Sequence, residues 1–450
     1  MSLQDSGLRL IDAVAGLCGW LGRPLNMDAL IQGAQRRTGL TNFGDTSFIE
    51  PLCQLLASCS TEASLSLLGR AATRWDITRF LVNLLRLHEA EQADPGIAAE
   101  RIERPIFITG LPRSGTTFLH RLMMVDTRNR APLVWQTIFP YPERGIRLGA
   151  PDRRVAQVAR QLRAFEFLAP AFRALHPLDA SSPQECGEIN AHVFRSLRFD
   201  SNYHIPSYRA WLDSDIERHL PAYRFHQRFL QHLQHQAPAA GSQWVLKNPE
   251  HLFALRAIKA VYPNARLIFV HRDPVKVLLS VARLTEVLRR PFSRRVDPIV
   301  IGRDESARWL DGANRMIEVG DDVGLPEPVC HVHHIDLVTD PVSTVEQVYR
   351  HFGMQLPERA AAGMGQYVAE RPNGGYGPRA YHLEDHGLNA DQERGKFRPY
   401  MLRFGIVPEA LPPPRKVDGD AAAPWRVTAP PGGARRAAAD ETPGHGRAGL

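Results

Sequence analysis

Short apolar runs and longer amphipathic segments alternate along the central part of the chain, and they predict strands and helices respectively. Residues 106–109 and 267–270 are largely apolar runs of strand length, and residues 329–335 alternate between apolar and polar positions. Helical patterns follow the first two runs, and Pro274 suits the first turn of the second helix. This order of elements predicts an α/β protein with a parallel sheet flanked by helices.

The same pattern divides the chain into three regions. In residues 1–100, apolar side chains recur at three- and four-residue spacing, as at Ile11, Val14 and Cys18, so we expect an N-terminal helical cap. Residues 101–405 carry the α/β pattern, interrupted by helical insertions. Residues 406–450 are rich in proline, alanine, glycine and arginine, and they predict a disordered tail because they offer few apolar side chains to bury.

The composition of the 450 residues is that of an ordinary globular protein, with 44% hydrophobic and 23% charged residues. The formal net charge is +7, and the arginines are spread along the chain rather than clustered. We therefore interpret the positive charge as a solvated basic surface. An electrostatic field that attracts a polyanionic substrate is the alternative, which we rank second. The absence of zinc-finger spacing, aromatic RNA-binding motifs and dense basic helices argues against nucleic acid as a partner.

The cysteines indicate a reducing compartment. Their odd number, irregular spacing and lack of a Cys-x-x-Cys motif are typical of free thiols; they are Cys18, Cys53, Cys59, Cys186 and Cys330. The N-terminus lacks the basic segment of a signal peptide, and no apolar run is long enough to form a transmembrane segment. We expect a cytoplasmic protein.

The most informative stretch joins the first predicted strand to the helix that begins at Thr116. Gly110-Leu-Pro-Arg-Ser-Gly115 between them is a tight turn with two glycines. A strand, a glycine loop and a helix N-terminus form an anion site, because backbone N–H groups point at one place and the helix dipole favours negative charge. Arg113 adds a planar fork of donors, and the hydroxyls of Thr116 and Thr117 can donate as well. An ordinary strand-to-helix turn is the simpler alternative, which we rank below phosphate binding.

The loop nearly matches the Walker A pattern Gly-x4-Gly-Lys-Ser/Thr, but Thr116 occupies the lysine position. In a nucleoside triphosphatase that lysine reaches the β- and γ-phosphates, whereas here the main charge lies earlier, at Arg113. No acidic Mg²⁺ motif follows a second predicted strand. The loop therefore predicts phosphate or sulfate binding in which no metal is expected.

A second stretch strengthens this prediction. Arg272 lies at the carboxyl end of the predicted strand 267–270, the edge at which open α/β sheets bind ligands, and Ser280 follows about two helical turns later. Another predicted strand ends at Lys247, and His251 begins the helix after it. We expect Lys247 and His251 to face the same ligand.

These residues resemble the motifs of a known family. Pro-Arg-Ser-Gly-Thr-Thr at residues 112–117 resembles the 5′-phosphosulfate loop of sulfotransferases that use 3′-phosphoadenosine 5′-phosphosulfate (PAPS). Arg272-Asp-Pro with Ser280 resembles their 3′-phosphate motif, and Leu-Lys-x-Pro-x-His around Lys247 is similar to a segment of the bacterial members. The resemblance covers residues 104–404. It implies a P-loop-like parallel sheet flanked by helices, with the N-terminal helical region and helical insertions added.

The resemblance also implies roles for individual residues. The 3′-phosphate would be held by Arg272 and Ser280, and the 5′ end of PAPS by Arg113, Ser114, Gly115, Thr116 and Thr117. Arg113 and Lys247 would stabilise negative charge during transfer. Arg394 and Lys396 resemble the loop that closes over the 3′-phosphate, with an ordinary basic turn as the alternative.

Three residues are candidates for the base that removes the acceptor's proton. A helix predicted to begin at Pro183, after a serine cap, would place Glu185 and Glu188 on one face. The resemblance favours Glu185, since a Pro-x-Glu segment recurs at this place in the family, with Glu188 in support. His176 is the competitor, because cytosolic sulfotransferases generally use a histidine. A structural alternative is that both glutamates only complement the helix dipole or form a capping box.

Two groups of histidines could suggest a metal site, but the pattern predicts otherwise. One predicted helix carries histidines that lack a carboxylate at ligand spacing, so we expect surface side chains at His226, His232 and His235. The predicted strand 329–335 accounts for the other group, His331, His333 and His334.

The sequence therefore predicts a PAPS-dependent sulfotransferase that moves a sulfuryl group to a hydroxyl or amine of a small-molecule, lipid or glycan acceptor. Aromatic side chains such as Tyr203 and Trp211 fit an apolar acceptor pocket and, equally, the core of a helical insertion. The alternatives for the whole chain are a P-loop kinase or nucleoside triphosphatase, and a non-catalytic nucleotide-binding module.

Overall fold

One parallel sheet organises the part of the chain described by the computed structural model, which comprises residues 25–141, 152–168, 179–238, 243–371 and 382–411. Its strands are β1 Ile106–Gly110, β2 Asn129–Arg130, β3 Gln243–Lys247, β4 Arg266–His271 and β5 Cys330–His333. They are arranged in the order β2-β3-β1-β4-β5, and every neighbouring pair is parallel. The predicted α/β class with a parallel sheet is confirmed.

Helices surround the sheet. Those before β3 are α1 Met27–Thr38, α2 Ile49–Thr61, α3 Leu67–Ala93, α4 Gly96–Ala99, α5 Thr116–Met123, α6 Val134–Ile138, α7 Arg153–Leu168, α8 Cys186–Asn190, α9 Arg198–Asn202, α10 Pro206–Asp213 and α11 Leu220–Gln236. Those after β3 are α12 Leu255–Val261, α13 Pro274–Arg289, α14 Pro298–Val319, α15 His334–Thr339, α16 Pro341–His351, α17 Glu358–Glu370, α18 Ala390–Lys396 and α19 Arg398–Arg403. Short 3-10 helices span Ala191–Val193, Ile216–His219, Pro249–Phe253 and Leu383–His386.

The strand register brings three predicted site segments to one edge of the sheet. β1 pairs with β4 from Ile106 opposite Arg266 to Gly110 opposite Val270, and its Ile108 pairs with Lys247 of β3. All three strands run in the same direction, so the loop after Gly110, the end of β3 at Lys247 and the residues after β4 meet at the carboxyl edge. This is the edge where open α/β sheets bind ligands.

Side chains of the central strand alternate between two hydrophobic cores, as the two-residue period of a strand requires. Ile106 and Ile108 pack with residues of α5, α16 and α17, whereas Phe107 packs on the opposite face with residues of α3 and α11. The described N-terminal helices therefore share a core with the sheet. Burying a phenylalanine such as Phe107 contributes about 1.5–3 kcal/mol, so this core stabilises the face of the sheet opposite α5.

Two predicted boundaries of secondary-structure elements were wrong. The strand predicted at residues 329–335 stops at His333, and His334 begins α15. The helix predicted from Pro183 begins at Cys186, because Pro183 instead forms an isolated antiparallel bridge with Leu133.

The histidines of α11 are another correction. His226 and His232 were predicted at the surface but are buried. His226 contacts the Tyr262 hydroxyl through Nδ1, and His232 contacts the Glu91 carboxylate through Nε2, so each has a polar partner inside the protein. His235 is a third exposed and contacts carboxylates from the end of α3 and the segment after α4. Since these partners lie far away in sequence, helix spacing alone could not reveal them.

The ends of the predicted regions are only partly described. The helical cap is described from residue 25, and residues 1–24 lie outside the described residues. At the other end, residues 406–411 of the predicted tail are described, and Ile406 is buried. Residues 412–450 lie outside the described part, so the tail and the domain boundaries stay predictions.

Candidate active site

The loop between β1 and α5 has backbone conformations that favour glycine. Gly110 has φ +139°, and a Cβ at this position would lie 2.3 Å from the carbonyl oxygen of Val270. Glycine therefore allows the end of β1 to lie directly against β4. Gly115 has φ +101°, and α5 begins at the next residue. Arg113 has φ +62°, a left-handed conformation that costs a non-glycine residue about 1–3 kcal/mol and is commonest at functional sites.

The residues that the resemblance assigns to the two ends of the donor are linked directly. Arg113 donates from Nε to the Ser280 hydroxyl, 3.0 Å away. Its carbonyl oxygen accepts a hydrogen bond of 2.8 Å from an Nη of Arg272. The loop after β1, the residue after β4 and the second turn of α13 thus form one cationic corner at the carboxyl edge of the sheet.

The remaining loop residues complete this corner. Thr116 and Thr117 begin α5 and line the cavity described below. The buried Ser114 hydroxyl has no hydrogen-bond partner among the described residues, so it remains able to donate to an anion. Together with the two arginines, this set of donors fits the phosphate and sulfate oxygens of PAPS.

His334 lies against the loop, a contact that the sequence analysis did not predict. Its Nδ1 donates to the Ser114 carbonyl oxygen at 3.0 Å, and the residue lines the cavity. Burial and the neighbouring charge of Arg272 lower the pKa of His334 to about 4. The imidazole is therefore neutral and supports the loop backbone. The sequence signal was present, because β5 ends at the same edge as β4, but the strand was predicted to continue past this residue.

A C-terminal segment reaches the same corner. Arg272 donates from Nε and Nη2 to the two carboxylate oxygens of Glu409, at 2.8 and 2.9 Å. Arg394 donates to the Asp273 carboxylate and to the Glu409 carbonyl oxygen. Lys396 contacts Glu393 and Ser306 instead and does not line the cavity. Of the two predicted closing residues, only Arg394 lies beside the Arg272 corner.

Lys247 and Glu185 form the second charged part of the site. The Lys247 ammonium donates to the Glu185 carboxylate and, at 3.1 Å, to the Thr117 hydroxyl. Lys247 is almost fully buried, with 3% of its side chain exposed, whereas Glu185 is 34% exposed and lines the cavity. A carboxylate and an ammonium are therefore held together beside the loop. His251 does not face them: it is buried, and its ring contacts the Tyr223 hydroxyl and Phe107.

Glu188 has different partners from Glu185, although it lies only three residues later. Its two oxygens accept from Arg79 at 2.6 Å and from Arg198 at 2.8 Å. The same two arginines bind Asp76 at 2.7 Å each, which closes a ring of four charges on the cavity wall. Burial alone would raise the pKa of Asp76, but the charges of Arg198 and Arg79 hold it below its usual value. Glu188 is thus paired on both oxygens.

Glu250 is a cavity carboxyl that the sequence reading did not single out. It follows Lys247-Asn-Pro at the start of the 3-10 helix, and its Oε2 lies 3.4 Å from the Ser196 hydroxyl. Burial raises its pKa to about 7, with Glu185 adding to the effect and Arg308 opposing it. Its place directly after β3 was the available signal. His176, the remaining base candidate, lies outside the described residues.

One cavity of about 1170 Å³ is lined by many of these groups, among them Arg113, Glu185 and Glu250. Its polar end is formed by the loop, Arg272, Ser280 and Lys276. Apolar side chains form another part of its wall, among them Leu68, Ala72, Trp75, Leu284, Leu288 and Phe292. Within the described part of the chain, no group of three or more potential metal ligands was found. Nor does any described helix have the length and apolar character needed to cross a membrane.

Comparison with known sequences agrees with the geometry of this site. The sequence profile of the sulfotransferase family matches residues 105–358, more than half of the chain. The omega-hydroxy-beta-dihydromenaquinone-9 sulfotransferase Stf3, of Mycobacterium bovis and of Mycobacterium tuberculosis, is 27% identical over 310 residues. These residues cover 66% of this chain and 72% of that protein.

Solved structures give the same result. The sulfotransferase STF1 from Mycobacterium tuberculosis is 30% identical with a TM-score of 0.68, and the match covers 83% of this chain and 99% of that one. STF9 from Mycobacterium avium is 26% identical with a TM-score of 0.73, over 85% of this chain and 97% of that one.

Proposed function

This chain belongs to the sulfotransferase family, and from that premise we propose that its acceptor is an alcohol carried on a long apolar chain. Members of the family are enzymes that use PAPS, so this protein is a PAPS-dependent sulfotransferase. PAPS supplies the sulfuryl group, and adenosine 3′,5′-bisphosphate remains after transfer. The residues of this chain must bind the donor, select the acceptor and remove the proton from the acceptor's hydroxyl.

The main support for this acceptor is the apolar wall that continues from the donor end of the cavity. On α13, Ser280 belongs to the cationic corner, while Leu284 and Leu288 line the same cavity one and two turns later. At 1.5 Å per residue, Leu288 lies about 12 Å along the helix from Ser280. An extended alkyl or isoprenoid chain matches this length, and its terminal hydroxyl would then lie near the loop.

The opposite wall supports the same class of acceptor. Leu68, Ala72 and Trp75 lie at helical spacing on one face of α3 and line the cavity. Small-molecule sites that take apolar ligands have walls of this kind with few polar groups. The relative Stf3 is named for a hydroxylated menaquinone, and a hydroxyl on an apolar molecule is consistent with this cavity.

We further propose that Glu185 is the base and that Lys247 and Arg113 stabilise the charge that develops in transfer. Glu185 lines the cavity beside the loop, and its carboxylate is oriented by Lys247. Lys247 also contacts Thr117, so its ammonium can turn from the carboxylate towards a transferring group above the loop. After that movement the Glu185 carboxylate would accept the proton of the acceptor's hydroxyl.

We also propose a cytoplasmic location, on the state of the cysteines. All four described cysteines are free thiols: Cys53, Cys59, Cys186 and Cys330. Burial raises the pKa of Cys59 and of Cys330 to about 12, which makes these two thiols unreactive. Free thiols are usual in reducing compartments. Fractionation of the native cells tests this location, and recovery from the secreted fraction would contradict it.

The acceptor proposal can be tested with a series of primary alcohols and a fixed concentration of PAPS. We expect kcat/KM to rise about three- to fourfold for each methylene added, until the apolar part of the cavity is filled. In Ala72→Phe, the alcohol with the highest kcat/KM should have a shorter chain, because residue 72 lines the apolar wall and the larger side chain would fill part of the cavity. Ala71→Phe is the matched control, since Ala71 is exposed and does not line the cavity.

A preference for sugars or other polyols over the alkyl alcohols would contradict the proposed acceptor class. An unchanged chain-length profile in Ala72→Phe would contradict the proposed position of the chain. Neither result would affect the donor assignment, which is measured separately by binding of adenosine 3′,5′-bisphosphate.

A further inference from the structure

The arginine assigned to the 3′-phosphate already holds an anion of the protein itself. Glu409 presents both carboxylate oxygens to Nε and Nη2 of Arg272, at 2.8 and 2.9 Å. This is the planar, two-bond geometry with which arginine also binds phosphate. Burial alone would raise the pKa of Glu409, but the hydrogen bonds and charge of Arg272 hold it below its usual value. The carboxylate is therefore ionised.

The segment that carries Glu409 is fixed on the same corner by its backbone. The Glu409 N–H donates to the Asp273 carboxylate at 2.8 Å, and its carbonyl oxygen accepts from Arg394 at 3.2 Å. Arg394 also contacts Asp273 at 3.3 Å. Glu409 lies beyond the stretch that matches the family profile, which ends at residue 358. The contact is thus a property of the C-terminal part of this chain.

A 3′-phosphate and Glu409 cannot both use this arginine fully. Within the described part of the chain, three of the five N–H donors of Arg272 are engaged, two by Glu409 and one by the Arg113 carbonyl oxygen. A phosphate dianion bound to the remaining two would lie next to a carboxylate of the same sign. Glu409 must therefore move away from Arg272, or it must weaken phosphate binding by charge repulsion.

We propose that Glu409 is an internal competitor for the 3′-phosphate, which leaves Arg272 when the donor binds and returns to it as adenosine 3′,5′-bisphosphate leaves. The proposal rests on the assignment of Arg272 to the 3′-phosphate. Its effect is selective, because a nucleotide without a 3′-phosphate does not compete for Arg272. If Glu409 occupies Arg272 in about nine of ten free molecules, the apparent Kd for the bisphosphate is raised about tenfold.

The test is calorimetric titration of the full chain with adenosine 3′,5′-bisphosphate and, separately, with adenosine 5′-phosphate. In Glu409→Gln we expect the bisphosphate to bind about three- to tenfold more tightly, while binding of the 5′-phosphate stays within about twofold. Stopped-flow association of the bisphosphate should become faster by the same factor, because fewer free molecules have Arg272 occupied. Glu409→Ala repeats the test without the amide that Gln would offer to Arg272.

Glu327→Gln is the matched control. Glu327 binds Arg104 and Arg266 at the opposite end of β4, so its loss removes carboxylate–arginine ion pairs far from the donor corner. It should leave both affinities unchanged. In Arg272→Ala, a further Glu409→Gln substitution should have no effect on the bisphosphate, because the two anions no longer share a partner.

The outcomes separate the two ideas. If Arg272→Ala weakens the bisphosphate selectively but the Glu409 variants do not tighten it, the internal competitor is wrong and the donor assignment stands. If Arg272→Ala weakens both nucleotides equally or neither, the assignment of the 3′-phosphate to Arg272 is wrong, and the competitor proposal fails with it. Equal tightening of both nucleotides in Glu409→Gln would also overturn the proposal, since it would indicate a general charge effect.

Discussion

The Lys247 ammonium donates a hydrogen bond to the Glu185 carboxylate, and this pair joins the end of β3 to the N-cap of α8. The ammonium is buried against the loop hydroxyl of Thr117, and the carboxylate is partly open to the cavity. Glu188, three residues later, is held on both oxygens by arginines. The two neighbouring glutamates therefore have different partners and different exposure to the cavity, and we expect their substitutions to have different effects.

Glu185→Gln should lower kcat by about 10²–10⁴-fold, the usual contribution of a positioned general base, while binding of adenosine 3′,5′-bisphosphate changes little. Glutamine keeps the size of the side chain but cannot accept the proton. Single-turnover transfer measures the chemical step directly. His176→Ala provides the comparison for the competing candidate. A normal rate in Glu185→Gln, together with a large loss in His176→Ala, would reassign the base.

Arg113→Ala should weaken binding of adenosine 3′,5′-bisphosphate about 10- to 100-fold, because a charge-assisted hydrogen bond contributes about 1.5–3 kcal/mol. The substitution also removes the link to Ser280 and so loosens the corner. Arg350→Ala is the control, since Arg350 is exposed and binds only Glu346 among its described ion-pair partners. Unchanged bisphosphate affinity in Arg113→Ala, measured by calorimetry, would contradict its role at the donor.

Arg79→Met should destabilise the protein by about 3–5 kcal/mol, because it leaves Asp76 and Glu188 buried with half of their counter-charge. Arg86→Met is the matched control on the same helix. Arg86 is a quarter exposed and pairs with Glu89, so its loss should cost less than about 1 kcal/mol. Urea unfolding gives both values, and equal effects of the two substitutions would show that the ring is not energetically special.

The raised pKa of Glu250 predicts a pH-dependent stability. Burial raises this pKa from 4.5 to about 7, so between these values the folded protein holds a proton that the unfolded chain has released. The free energy of unfolding should therefore fall as pH rises through this window and level off above it. Glu250→Gln should remove about 1–3 kcal/mol of that fall, measured by urea unfolding at about pH 5 and about pH 8. Parallel profiles for the two proteins would contradict the shift.

Local patterns were enough to predict four of the five described strands and the loop, and to bring Arg113 and Arg272 to one edge of the sheet, whereas the two-residue β2 was not predicted. Residues 106–109 and 267–270 form strands because they are short apolar runs. Arg272 lies at the carboxyl edge of the sheet because it follows the second of these strands. The link between Arg113 and Ser280 follows from the parallel pairing of those two strands. These features are set by the order of residues and by the geometry of a parallel sheet.

What the sequence did not reveal depends on contacts between distant elements. Arg79 and Arg198 pair with Glu188 from two other helices, and nothing near residue 188 indicates this. His226 is buried because Tyr262 offers it a partner. Glu409 lies in a stretch whose composition predicts disorder, yet the Glu409 carboxylate forms an ion pair with Arg272. Each case is one side chain whose environment is decided by tertiary packing.

The central position of β1 has a consequence for how the protein is made. Of the described strands β1 is synthesised first, but its partners in β3 and β4 lie far along the chain, and Ile106 pairs with Val245 and Arg266. At about 5–20 residues per second, roughly 10 to 30 seconds pass on the ribosome before β4 follows β1. During that interval an apolar strand has both edges unpaired, so the nascent chain presents a surface that can pair with other chains until β3 and β4 have been made.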